Sequence, residues 1–83
     1  MNKAQPFRTS GTIQYAGHPV AWFIAPAAHA KGQCALTADS VDGFKSKPHY
    51  LAEAENARYS NRDKAYIMSP AKARHIVAQL QEV

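Results

Sequence analysis

Eighty-three residues make one domain and leave no room for a second. An apolar share of 46% with 19% charged excludes intrinsic disorder, although so short a chain buries only about 60–65% of its unfolded surface and has a thin core. The formal net charge of +4 is modest, and a single cysteine excludes an internal disulfide.

The N-terminal residues 1–6 read as a loose polar terminus, and strand character begins at Phe7. Thr12 to Tyr15 alternate, which puts Ile13 and Tyr15 on one face. Ala16-Gly17-His18-Pro19 is a turn signal, and Val20 to Ala25 then runs apolar on both faces, as a central strand does. Val20, Trp22 and Ile24 face one way and Phe23 the other, so the pair forms a β-hairpin. Pro26 to Gly32 breaks the strand. Gln33 to Ala38 alternates again, with Cys34 and Leu36 on one face, and forms a third strand. Asp39 to Pro48 is a loop with a turn at Asp42-Gly43. Over Pro48 to Tyr59, Ser46 as cap and Leu51, Ala54 and Ala57 on one side favour helix. His49, Tyr50 and Tyr59 fit a strand equally well. Ser60 to Asp63 is a turn and Lys64 to Met68 a short strand.

Ser69-Pro70 opens the clearest helix. Serine is a favoured cap, and proline at the first helical position loses no hydrogen bond. Ala73, Ile76, Val77 and Leu80 fall on one stripe that must pack against the sheet face carrying Trp22 and Leu36. The expected fold is therefore α+β: a three- to four-stranded antiparallel sheet with a C-terminal helix packed on one face. The alternative is a homodimer whose sheet continues across a two-fold axis. The bland reading of Cys34 is a small buried apolar residue, and the sharper one is an intermolecular disulfide across such a dimer.

Charge is unevenly placed. Between Arg58 and His75 stand Arg58, Arg62, Lys64, Lys72 and Arg74 against Asp63 alone, so this segment carries +4 and the remainder sums to zero. Lys72 and Arg74 oppose the dipole of a helix starting at Pro70, as Glu82 does at the other end. A helix N-terminus with adjacent cations favours an anion, either a phosphate or an acidic protein patch. Tyr59 and Tyr66 interleave with the arginines, as a base-stacking surface needs and as a protein–protein hot spot also does. The plain alternative is a solvated basic face.

No catalytic motif is present: no P-loop, dinucleotide turn, nucleophile elbow or His-Glu-x-x-His. Glu53 and Glu55 point to different sides of a helix and make poor acid–base partners. His18, His29, His49 and His75 have no ligand spacing, and Asp39-x-x-Asp42-Gly43 lacks the remaining ligands of a calcium loop. The expectation is a non-enzyme without cofactor or metal. The apolar run from Pro19 to Ala28 is about half a membrane span and no signal peptide is evident, so a cytoplasmic chain is expected.

In size, single-domain build and lack of chemistry the chain resembles the small phage and mobile-element proteins that inhibit host machinery, the anti-CRISPR proteins among them. The resemblance is one of type and carries no residue across. It implies a stoichiometric binder that covers a surface on a host nucleic-acid-handling complex, although many such proteins are acidic DNA mimics and this one is basic. On the residues, the contact would run through Arg58, Tyr59, Arg62, Lys64, Tyr66, Lys72 and Arg74. The alternative is a nucleic-acid-binding module that uses the same patch.

Overall fold

The structure, a computed structural model, describes residues 5–81. Glu82 and most of the N-terminal stretch therefore lie outside the described residues. Five strands run in the order β1(Thr9–Tyr15), β2(His18–Pro26), β3(Cys34–Ala38), β4(Arg58–Ser60) and β5(Ala65–Met68) along the chain, with α1(Lys47–Ala54) before β4 and α2(Pro70–Leu80) last. They form one antiparallel sheet ordered β1-β2-β3-β5-β4. The α+β architecture and the terminal helix are as expected. The sheet has more strands than expected, and α1 is a second helix.

The hairpin closes through a two-residue turn at Ala16 (φ 53°) and Gly17 (φ 79°), with Tyr15 opposite His18. Both turn residues lie in the left-handed region, which is the geometry that matches strand twist. Strand alternation then sets the core. Val20, Trp22, Ile24, Cys34, Leu36, Tyr66 and Met68 are buried on one face, and α1 and α2 cover that face with Ala52, Ala73, Ile76 and Leu80. The predicted α2 stripe is the buried one, and Ser69 accepts from the Lys72 N–H at 3.3 Å as cap.

The stretch that reads both ways is both. Ser46 caps α1, and its own N–H donates to His49 Nδ1 at 3.0 Å, so the histidine fills the role that glutamine or glutamate has in a capping box. The Ser46 hydroxyl donates to the Asp39 carbonyl at 2.7 Å, which ties the preceding loop to the helix start. Asn56 ends the helix in the left-handed region (φ 62°), with its N–H on the Glu53 carbonyl and the Ala57 N–H on the Ala52 carbonyl. That is a Schellman closure, and it frees the chain to enter β4 as an edge strand.

The opposite sheet face is partly covered. Ala65 and Ile67 point outward by register yet are buried, and the β2–β3 loop ties itself to that corner through His29, which bonds Asp63 at 3.0 Å. Ser10, Thr12, Gln14, Ala21, Phe23 and Thr37 remain exposed on that face.

Candidate functional site

The structure disperses the basic segment. Arg58 and Tyr59 are neighbours in β4, so alternation sends their side chains to opposite faces; Tyr59 lies opposite Tyr66 on the helix-covered face. Tyr66 is only 7% exposed and is a core residue, not a stacking platform. Arg74 sits over the Phe7 ring at 4.6 Å, a cation–π contact that gives it a structural use on the opposite side of the molecule from β4. Lys64 is exposed in the β4–β5 turn with φ 53°.

Three cations stay together. Arg58 borders two adjacent hollows, one shared with Lys72 and Ser69 at the start of α2, the other with Arg62, Tyr59 and His29. The carboxylate nearby, Asp63, is engaged by His29 and by the Ser60 hydroxyl. Its burial pushes the pKa up, but the His29 and Ser60 hydrogen bonds outweigh that and hold it below the usual carboxylate range. Asp63 is therefore ionised and structural.

Cys34 is wholly buried beneath the helices, which corrects the disulfide reading: no second chain reaches its sulfur unless the core opens. The His29 side chain meets Asp63. Among the described residues, no three His, Cys, Asp or Glu side chains gather closely enough to hold a metal ion. No helix of the described residues is long and apolar enough to cross a membrane.

A second cluster stands out at the α1–β4 end. The Tyr66 hydroxyl donates to Glu53 Oε2 at 2.8 Å, and Lys45 Nζ donates to the same oxygen. Tyr59 meets Tyr66 edge-on at 5.2 Å between ring centroids, and His49 approaches it at 6.0 Å. Each group holds the next. The Lys45 and Tyr66 bonds lower the Glu53 pKa, and the Glu53 bond raises that of Lys45. Burial, then the Glu53 carboxylate, raises that of Tyr66. Around this network Tyr59 is 52% exposed, Tyr50 50% and Phe44, next to Lys45, 73%. Phe44 is presented by a tight turn in which Asp42 and Gly43 both have positive φ and Val41 pairs with Phe44. Sequence reading placed Tyr59 in a site and left out Phe44, Lys45, Tyr50 and Glu53. The only sequence signal was two aromatics outside any apolar stripe.

Comparison with known protein families, curated proteins and solved structures finds no match to the chain.

Proposed function

We propose that the chain is a stoichiometric, non-catalytic binding protein that covers a surface on a host nucleic-acid-handling complex, as anti-CRISPR-like inhibitors do. The observation that carries the binding reading is the α1–β4 cluster. Among the described residues, Phe44, Tyr50 and Tyr59 are three of the four exposed large hydrophobics, and Tyr59 meets edge-on the buried Tyr66, whose hydroxyl is held by Glu53. A lone surface aromatic means little, whereas an exposed tyrosine held against a buried partner and flanked by charge is the kind of residue that anchors an interface hot spot. Arg62, which lines a hollow with Tyr59, and Lys45 beside Phe44 supply a basic rim suited to an acidic protein surface.

The second reading, contact with a nucleic-acid backbone, draws on the grouping of Arg58, Arg62 and Lys72 about two adjacent hollows. Two experiments separate the readings. A gel shift with generic single-stranded and duplex DNA at 50 mM salt should give no retardation; retardation that collapses with added salt would transfer the function to the nucleic-acid reading. In affinity capture from the host, Phe44→Ala and Tyr59→Ala should each weaken the captured complex by roughly thirtyfold, the size of a 2 kcal/mol hot-spot loss. Full capture by both folded variants would remove this cluster from the site.

A further inference from the structure

The two edges of the sheet are built differently. β4 is three residues long and carries Arg58, so it offers little template to another strand. β1 is seven residues long, TSGTIQY, with no charge and no proline, and among the described residues no strand pairs with its outer edge. Natural proteins protect such an edge when nothing is meant to bind it.

The free groups on β1 can be assigned. The Asp39 N–H donates to the Ala21 carbonyl and the Ala21 N–H to Asp39 Oδ2, so both Ala21 backbone groups point towards β3. Thr12, paired with Ala21, therefore turns its own N–H and carbonyl away from β2, and Ser10 and Gln14 do the same by the period of two.

We propose that two copies of the chain pair through β1, antiparallel about a two-fold axis at Thr12, to make one continuous sheet. With the axis there, Thr12 faces the partner's Thr12 and Ser10 faces the partner's Gln14. All the outward-pointing groups are then matched, each facing pair exchanging two hydrogen bonds. An axis at Gly11 or Ile13 matches fewer. No like charges meet, because the strand has none. On the helix-covered face the same register sets Gly11 opposite the partner's Ile13. Gly11 has no side chain, and Trp22 lies against it. A groove of about 440 Å³ runs there between β1 and the helices, bordered by Trp22, Lys47 and Leu80. The partner's Ile13 enters that groove. A second copy fits better than a foreign peptide because the strand complements itself in both hydrogen bonding and shape. The two-fold arrangement also closes the assembly, whereas β1 on β4 would continue without end.

Sedimentation velocity over a range of concentrations tests this directly. Wild type should be a dimer at micromolar concentration. Thr12→Pro should be a folded monomer: proline is tolerated on an edge strand where the N–H faces outward, and the change removes both central inter-copy bonds. Dimerisation should weaken at least about thirtyfold for those two bonds. Thr12→Lys and Thr12→Glu each place like charges face to face, so each should dissociate alone and form the dimer again on mixing. A wild type that stays monomeric to about 1 mM overturns the proposal, as does a dimer that survives Thr12→Pro unchanged. Should Thr12→Pro lose its circular dichroism signature, the lysine and glutamate pair decides: undiminished self-association of both refutes the β1 interface.

Discussion

Two residues have roles that their neighbours in sequence do not announce. A Cβ on Gly11 would lie 2.7 Å from Trp22 Cζ2, and Trp22 is too buried to step aside. Gly11→Ala should therefore cost roughly 1–3 kcal/mol as overpacking, read as a lower urea midpoint, even though alanine suits a strand no worse than glycine. His49 is the other. Burial lowers its pKa, and its Nδ1 can accept the Ser46 N–H only while that nitrogen carries no proton. A group whose charged form is disfavoured on folding contributes stability above its unfolded pKa of about 6.5 and loses it as pH falls through the lower folded value. Between pH 7.5 and 5 the wild type should thus lose stability that His49→Gln retains, because glutamine accepts the same bond without titrating. Chemical denaturation of both proteins at the two pH values measures the difference. Parallel acid limbs would show that His49 does not cap α1. The role of Gly11 comes from Trp22 across the hairpin. That of His49 is local, three residues from Ser46, and is hidden because histidine stands where a capping box usually has glutamate or glutamine.

At the scale of elements, legibility followed the strength of the local pattern. The hairpin and α2 could be read because alternation and a capped stripe each favour one structure. The stretch from Pro48 to Tyr59 could not, because its decisive event is a single residue, Asn56, adopting a left-handed conformation that splits the stretch into helix and edge strand. Asn56→Ala should cost about 1 kcal/mol, since alanine tolerates that region less well. In α2, Ile76→Ala should cost roughly 2–5 kcal/mol, because Ile76 is fully buried against the sheet, and Gln79→Ala a few tenths at most. Equal melting temperatures for those two would mean that α2 packs by another face. The basic run is dispersed in space for a related reason. Clustering in sequence becomes clustering in space only when the period of the element allows it. Strand alternation separated Arg58 from Tyr59, and helix geometry turned Lys72 and Arg74 to different sides, one beside Arg58 and the other over Phe7. Charge reversal at Arg74 should therefore cost about 0.5–1 kcal/mol through the lost aromatic contact, while Lys72→Glu should not harm folding.

The whole molecule is a thin plate, 42 × 29 × 19 Å, with one helical layer on one sheet. The β1 edge and the β4 edge close its two ends, so pairing through β1 leaves the cluster at Tyr59 free on both copies. A two-fold plate with a site at each end would bind a repetitive host assembly through both ends at once, and its avidity would exceed either contact. The same arrangement has a thermodynamic signature that needs no partner. If folding and pairing are linked, the native dimer is drawn together by mass action, and the melting temperature depends on concentration. A tenfold rise in protein favours the dimer by RT ln 10, about 0.7 kcal/mol for each chain. Set against an unfolding entropy near 2.1 cal/mol/K per residue, that raises the melting temperature by about 4 °C for a chain of this length. Scans at 10 µM, 100 µM and 1 mM should therefore climb by about 8 °C in total for the wild type and stay level for Thr12→Pro, which melts as a monomer. A level series for both proteins would mean that the thin core stands alone. A climbing series for both would move the dimer contact away from β1, to the exposed sheet face around Phe23.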